Sequence, residues 1–462
     1  MNPPLKSESD LLEACGSRLL AAALNAGADA AEVCGSYAQK TKIGLEKQDF
    51  HMASSDAGFH LGVRVLKAGK QGFAATNSTA PKDLKQIATR AVEIATFSPE
   101  NPNNQIISSK NVETQSKNSL WDDALFQLSL KTQQDWTKLL AEEAMRDKKF
   151  RLNEGSVEIG AGLFLIQNTL GTHKLERDTH AAWSLMGMAV EDDKITSFDY
   201  FSQLSRKASG VPDRIAKSIQ SFTKGVIATL RQAPSKTYEG PVVFSPRAVI
   251  EIFLDGISYH LNGRVVADGI GRWSKKNLDT NVLNSKFSVR DLPWTPERWG
   301  TAYFDREGTP TSERAVLENG MLRGFFLDSY AAAATGMHST GNAVGGPNSV
   351  PSVGSHTLSV DAGDVSEKDL FAAAGNEFLV VNRFSGQVDP VTGDFSGVAK
   401  GGEWWLGGER VCFVQETLIS GNVFNCLGEK LMAISNVSEV VDSGAQSPFL
   451  LCDGISVTSG NT

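Results

Sequence analysis

The chain has 462 residues, of which 41% are hydrophobic and 21% are charged, and its formal net charge is −8. This length favours two domains over a single core, and the composition is that of a globular protein rather than a disordered or fibrous one. No basic stripe accompanies the acidic balance, so we expect no nucleic-acid partner.

The cysteines give no sign of a disulfide framework or a zinc ribbon, because their number is odd, their spacings are wide and no CxxC pair occurs. Reduced, mostly buried thiols in a cytosolic protein are the expected state. No secretory signal is visible, and no apolar run approaches the roughly 20 residues of a membrane span. We therefore expect a cytoplasmic protein without membrane contact. The five cysteines are Cys15, Cys34, Cys412, Cys426 and Cys452.

The first half of the chain alternates helical and extended patterns, which predicts a mixed α/β domain over residues 1–232. Its polar stretch, 99–119, is predicted to be a surface loop. The predicted helices are 8–24, 81–95, 136–146 and 215–230, and the predicted strands are 30–37, 59–66, 73–76, 156–166 and 180–190.

The second half, residues 233–462, reads mostly as strands separated by glycine-rich turns. A strand at 241–244 leads into a helix with Ser245 as N-cap and Pro246 in its first turn, and Gly263 is a predicted helix stop. Asn319-Gly320 predicts a two-residue hairpin, and a short helix is expected at 368–374. The predicted fold class is α+β: an N-terminal mixed α/β domain followed by a mainly antiparallel β-sandwich or barrel-like domain.

Common catalytic motifs are absent from the sequence. No serine lies in a G-x-S-x-G elbow, no HExxH occurs, and no two of the seven histidines are four residues apart. Residue patterns alone therefore indicate no catalytic residue, although they leave open a zinc site assembled from dispersed ligands.

Four segments carry a resemblance to a known family. They are 62–72 (GVRVLKAGKQG), 304–342 (beginning FDREGTPT), 384–401 (FSGQVDPVTGDFSGVAKG) and 417–422 (TLISGN). Together they resemble the TldD/PmbA family, whose members are described both as modulators of DNA gyrase and as zinc peptidases. The resemblance covers nearly the whole chain, although Asp389 stands where the family usually has asparagine.

The resemblance also implies which kind of family member this is. In the TldD kind, the helix after the domain boundary carries HExxxH, and a cysteine near the C-terminus completes the zinc site. Here Leu254 and Tyr259 match the two histidines and Asp255 matches the glutamate, while a shift of one residue recovers only His260. Cys452 falls in the last predicted strand, as expected of a buried structural thiol.

The chain therefore looks like the metal-free PmbA (TldE) kind. The resemblance implies no catalytic residue and no cofactor in this chain, zinc in a TldD-like partner, and a dimer with that partner or with itself. The expected function is that of an accessory subunit of a cytoplasmic metallopeptidase acting on unfolded peptides. The alternatives are a homodimeric peptidase with an unrecognised site, and a binding protein without enzymatic activity.

Two glycine-containing segments are candidates for a peptide cleft, because glycine lets another backbone approach closely. Ordinary loop turns are the alternative interpretation of both. The candidate peptide-cleft residues are Thr340, Gly341, Asn342, Phe395 and Ser396.

Overall fold

The computed structural model describes residues 5–47, 49–109 and 120–460, and in them the chain forms two large sheets that follow one another in sequence. Residues 110–119 of the predicted polar loop lie outside this description. No helix in the described part is long and apolar enough to cross a membrane.

The first sheet has seven strands, and every pairing in it is antiparallel. Its order is β3-β2-β1-β4-β5, with β6 and β7 both paired to β5. The strands are β1 (Ala30–Glu46), β2 (Asp49–Lys67), β3 (Lys70–Thr76), β4 (Phe150–Asn168), β5 (His173–Glu191), β6 (Lys194–Ile195) and β7 (Asp199–Ser205).

Five helices accompany this sheet: α1 (Lys6–Asn25), α2 (Pro81–Phe97), α3 (Asp123–Phe126), α4 (Leu130–Ala144) and α5 (Val211–Ala228). Helices α1 and α2 bury Leu12 and Ala88 in one apolar core, whereas α4 and α5 pack in a second core around Trp183. The predicted helices and strands are thus confirmed, but β1 and β2 extend well beyond the predicted 30–37 and 59–66. The added part of β2 is exposed or half-buried on both faces, so its sequence lacks the apolar alternation that marks a strand, whereas the added part of β1 buries Ile43 and Leu45.

The second sheet has fourteen strands, in the order β12-β11-β10-β15-β23-β9-β16-β19-β20-β8 with a branch of β17, β18, β21 and β22. The strands, with the β13–β14 ribbon, are β8 (Gln232–Ala233), β9 (Tyr238–Phe244), β10 (Val289–Asp291), β11 (Arg314–Glu318), β12 (Met321–Leu322), β13 (Ala343–Val344), β14 (Ser352–Val353), β15 (Leu358–Val360), β16 (Glu377–Val381), β17 (Arg383–Val388), β18 (Asp394–Lys400), β19 (Glu403–Leu406), β20 (Glu409–Val414), β21 (Leu418–Asn422), β22 (Leu431–Val440) and β23 (Gln446–Thr458).

Most pairs in this second sheet are antiparallel, and β9 with β16, β15 with β23 and β8 with β20 are parallel. The α+β class is therefore confirmed. The Asn-Gly hairpin is confirmed as well, since Asn319 and Gly320 connect β11 to β12 with φ of 50° and 74°. The predicted boundary after residue 232 falls within β8 (Gln232–Ala233), four residues after the end of α5, and whether the two halves fold independently stays a prediction.

The helices of the second half are α6 (Pro246–Val249), α7 (Asp255–Leu261), α8 (Gly263–Asp268), α9 (Ser329–Thr335), α10 (Glu367–Ala373) and α11 (Val423–Leu427), and a π-helical turn (Ile250–Leu254) joins α6 to α7. Helix α7 ends at Leu261, two residues before Gly263, so a helix stop lies where it was predicted, but Gly263 does not adopt the left-handed conformation of a glycine stop. Gly263 begins α8 after the Asn262 N-cap, and a side chain there would come within 2.3 Å of Leu327. Close packing therefore accounts for this glycine.

Candidate functional site

The helical segment after β9 forms where the sequence predicts it. The Ser245 hydroxyl accepts a hydrogen bond from Ala248 N at 3.3 Å, and Pro246 occupies the first turn. Ile252 and Phe253 are fully buried, and Phe253 packs edge-on against Phe244. Burial of this face fixes how the helix is rotated and therefore where each remaining side chain points.

The three residues that the resemblance matches to the family's metal motif differ from one another in solvent exposure. Leu254 is buried at 2% exposure, Asp255 is exposed, and Tyr259 is half-buried. The π-helical turn ends at Leu254, immediately before Asp255. Although Asp255 is exposed, the protein around it partly desolvates its carboxyl group, and this raises its pKa. A leucine side chain has no atom that can coordinate zinc, so the residue that the resemblance matches to the family's first histidine is a core residue.

His260, the residue that a one-residue shift would bring into the site, is fully buried among aromatic rings. Its ring centroid lies 5.0 Å from that of Phe424 and 6.0 Å from that of Trp273. Nδ1 accepts a hydrogen bond from Arg272 N at 2.9 Å, and Nε2 is buried without a partner among the described residues. Burial, with the nearby charge of Arg272, lowers the pKa of His260 to about 4, so the ring is neutral at pH 7.

These surroundings are poorly suited to a metal ion. The described residues contain no group of three or more His, Cys, Asp and Glu side chains that could hold one. Cys452 lies in β23, as predicted, and its Sγ contacts Cys426 O at 3.6 Å inside the core. Burial raises the pKa of the Cys452 thiol well above its ordinary value, which disfavours the thiolate that zinc requires.

The first candidate cleft segment forms a hydrogen-bonded corner. Asn342 is 1% exposed, and its Nδ2 donates to Asp291 Oδ2 at 2.8 Å while its Oδ1 accepts from Thr340 Oγ1 at 2.8 Å. Gly341 has φ of 70°, and a side chain on it would come within 2.6 Å of Pro310 O. Both polar atoms of the Asn342 side chain thus form hydrogen bonds within the chain.

The second candidate segment lies on β18, which is flanked by β17 and β21. Phe395 is 2% exposed and packs with Phe253, whereas Ser396 is exposed on the opposite face. The two candidate segments have separate hydrogen-bond partners. Only an exposed sheet face around Ser396 is open to a ligand, and a role in peptide binding stays a prediction for both.

Sequence reasoning missed a hydrogen bond between β17 and the helical segment 246–261, here called the metal-position helix because it holds the residues matched to the family's metal ligands. Glu251 Oε2 accepts a hydrogen bond from Phe384 N, the second residue of β17, at 2.6 Å. Arg247 pairs with the other oxygen of Glu251 at 3.1 Å. Glu251 is therefore half-buried and bonded to β17, whereas Asp255, four residues further along the helix, is exposed. The half-buried position of Glu251 follows from the long-range contact with β17, which no local pattern reports.

A buried network of charges between the two halves was also missed. Glu32 accepts hydrogen bonds from Arg64 Nη2 at 3.1 Å and from Arg306 Nη1 at 2.9 Å, and Arg64 reaches Glu307 Oε1 at 3.0 Å. All four side chains are at most 4% exposed. Arg64 and Glu307 lie within the segments that carry the family resemblance. The resemblance therefore included both residues, but it did not show that they contact each other.

Comparison with known proteins identifies the class to which this scaffold belongs. The PmbA/TldA metallopeptidase domain 1 matches residues 31–95, and the PmbA/TldA metallopeptidase C-terminal domain matches residues 235–459. The chain therefore belongs to the PmbA/TldD family of metalloprotease-like proteins, which confirms the resemblance.

Individual relatives extend over most of the chain. A metalloprotease PmbA homolog of Haemophilus influenzae is 25% identical and covers 99% of this chain and 98% of its own length. Metalloprotease PmbA of Escherichia coli O157:H7 is 23% identical, with 86% and 85% covered. A zinc metalloprotease TldD homolog of Saccharolobus solfataricus is 25% identical over 54% of each chain.

Solved structures share the fold. TldE from Thermococcus kodakarensis superposes with a TM-score of 0.83 at 19% identity, and 96% of this chain and 100% of that chain are covered. A Thermotoga maritima structure named for modulation of DNA gyrase gives a TM-score of 0.82 at 22% identity, with 96% and 100% covered. Because both identities are below 25%, these structures establish the fold of both halves and nothing about function.

Proposed function

We propose that this chain is an accessory subunit, without a catalytic metal of its own, of a cytoplasmic PmbA/TldD-type metallopeptidase acting on unfolded peptides. The observation that carries the proposal is the buried side chain of Leu254 at the first metal position of the family's helix. Zinc needs nitrogen, sulfur or oxygen ligands held together. The direct alignment offers only Tyr259. The shifted alignment offers Asp255, which is exposed, and His260, which is buried with Nδ1 bonded to Arg272 N. In this proposal the zinc belongs to a TldD-like partner.

The edge of β17 supports a role in holding an extended substrate. Among the described residues, β17 pairs with β18 alone, so its other edge has backbone groups available over part of its length. An extended peptide can add to such an edge through main-chain hydrogen bonds whatever its side chains are. The Glu251–Phe384 contact fixes this edge beside the helix where relatives of the TldD kind carry their metal motif.

The test measures zinc content and cleavage of an unfolded peptide by this chain alone, by an HExxxH-bearing relative alone, and by the mixture. The proposal predicts no stoichiometric zinc and no cleavage for this chain, and cleavage by the mixture in excess of that by the relative. Zinc with cleavage by this chain alone would instead establish a self-sufficient peptidase. A stable complex that leaves cleavage unchanged would establish a binding protein.

A matched pair of variants tests the edge in the same mixture. Gly386 of β17 lies against Gly397 of β18, and a side chain on Gly386 would come within 2.3 Å of Ser396 O. Gly386→Val should therefore distort β17 and reduce cleavage by the mixture. Gly407→Val, in an open turn with nothing within 4 Å of an added side chain, is the control for a glycine change as such, although its φ of 64° makes a small loss of stability expected.

A further inference from the structure

A cavity of about 440 Å³ lies between the two halves of the chain, separate from the metal-position helix. Strands β4 and β5 form one wall, and the loops around residues 299–306, 343–345 and 355–356 form the other. This volume is far larger than one water molecule needs and falls within the range of small-molecule sites. The cavity does not involve any residue used in the proposed accessory role.

Glu176 lines this cavity and has a buried carboxyl oxygen, Oε1, that lacks a partner among the described residues. It lies on β5 directly opposite Phe164 of β4. Burial, with a smaller contribution from the charge of Asp178, raises the pKa of Glu176 to about 8. A buried acceptor without a donor is unfavourable, so a ligand that donates hydrogen bonds would be stabilised here.

The other charged groups on the β5 side of the cavity are already engaged. Asp178 pairs with Arg206 Nη1 at 2.5 Å and with His180 Nδ1 at 3.7 Å. Arg206 is further tied through Nε to Pro296 O at 3.1 Å. Arg206, whose charge lowers the pKa of Glu176, is thus paired directly with Asp178.

The opposite wall supplies one unpartnered donor. Arg306 donates through Nη1 to Glu32, while its Nε is buried without a partner among the described residues. Asp305 accepts backbone hydrogen bonds at both carboxyl oxygens, and His356 Nε2 is bonded to Gly341 O at 2.6 Å. Among the described residues, one wall thus has a buried unpartnered acceptor on Glu176 and the other a buried unpartnered donor on Arg306.

Aromatic rings complete the lining. Phe164 stacks on Phe304 across the two halves, with ring centroids 6.0 Å apart. Trp299 is 46% exposed at the cavity and meets His180 edge-on, with centroids 5.8 Å apart. Aromatic faces attract cations as well as aliphatic groups, so these rings suit a charged ammonium on an aliphatic chain.

We propose that this cavity binds a primary ammonium group carried by an amino acid or peptide, with Glu176 accepting from the ammonium and Arg306 Nε donating to a carbonyl oxygen of the same ligand. The ammonium replaces the proton that Glu176 carries in the empty cavity, and this proton is released to solvent. Binding therefore becomes stronger as the pH rises towards about 8, where Glu176 gives up its proton more readily.

Calorimetry on the full chain at pH 7 tests the proposal with three probes. Norleucine amide presents an α-ammonium, N-acetyl-lysine amide presents an ε-ammonium, and N-acetyl-norleucine amide is their neutral counterpart. We expect at least one amine to bind and the neutral compound to bind about tenfold more weakly or not at all, since charge-assisted hydrogen bonds are the stronger ones. Which amine binds identifies the source of the ammonium. Titrations in two buffers with different ionisation enthalpies should show proton release.

Two variants make the test specific to the site. Glu176→Gln removes the carboxylate while keeping its shape, and should weaken amine binding about tenfold and abolish proton release. Glu154→Gln, on an exposed position of β4, should change neither. The proposal is overturned if no amine binds, if the neutral compound binds equally well, or if Glu176→Gln binds as the unchanged chain does. Near-ultraviolet circular dichroism of each variant confirms that the fold is retained.

Discussion

Arg64 of β2 donates a hydrogen bond to Glu307, 243 residues further along the chain, with 3.0 Å between Nη2 and Oε1. The same nitrogen reaches Glu32 at 3.1 Å, so one guanidinium group connects the first sheet to a loop of the second half. Burial of charged groups is unfavourable unless each has its partners. We therefore expect the relative position of the two halves to depend on each of the four charged side chains in this network.

Replacing Arg64 by methionine should destabilise the chain by about 3–5 kcal/mol, because the buried Glu307 then loses its cationic partner. Glu32 also loses one of its two buried ion pairs and keeps only that with Arg306. Urea unfolding followed by circular dichroism measures the change. Arg90→Met, on the exposed face of α2, is the matched control and should alter the free energy of unfolding by less than about 0.5 kcal/mol. A loss for Arg64→Met no larger than that of the control would show that the network contributes little.

Gly72 of β3 lies beneath α2, where an added side chain would come within 1.9 Å of Ala91 O. Gly72→Ala should therefore push the helix from the sheet and cost about 3 kcal/mol or more. Gly58 of β2 has no atom within 4 Å of the corresponding position, so Gly58→Ala should be neutral or slightly stabilising. Thermal unfolding of both variants checks the contrast, and equal melting temperatures would contradict the packing argument.

His260 should make the chain sensitive to mild acid. Its pKa falls from 6.5 to about 4 on folding, so the unfolded chain binds more protons below pH 6.5 and stability decreases as the pH falls. Between pH 7 and pH 5 this group should account for about 2 kcal/mol. His260→Gln keeps a neutral hydrogen-bonding side chain and removes the titration. Its stability should fall less steeply than that of the unchanged chain, and parallel curves would refute the assignment.

Glu176 should have the opposite pH dependence. Its pKa rises from 4.5 to about 8 on folding, so the folded chain binds more protons and loses stability as the pH increases between these values. At pH 8, Glu176→Gln should be more stable than the unchanged chain by at least about 1.4 kcal/mol, the equivalent of one pKa unit. At pH 5 the two should differ little. Chemical denaturation at both pH values, with Glu154→Gln as control, measures this difference.

Local patterns predicted much of the fold because local physics determines those parts. The apolar period of α2 and the Asn-Gly turn before β12 each depend on a few neighbouring residues. Helix α9 was missed because its alanine-rich sequence carries no amphipathic pattern. It begins where the Asp328 side chain accepts from Ala331 N at 2.7 Å.

The candidate metal site could be predicted only from the resemblance to the family's motif. The family's motif located Leu254 and Tyr259, but burial of Leu254 and the neutral state of His260 depend on contacts from distant strands. The cavity at Glu176 had no signal in sequence, because its two walls are more than a hundred residues apart along the chain. Unpaired polar atoms are properties of the assembled interface and not of any segment.

Strand β23 has consequences for how the chain is made. It pairs with β9, β15, β21 and β22, and its register partner in β9 lies about two hundred residues earlier. On the ribosome, the first sheet is complete once residue 205 has emerged, whereas the second remains divided until residues 446–458 follow. Unpaired strand edges are prone to aggregation during such a delay. Synthesis of the second half therefore passes through a period in which chaperone binding is favoured.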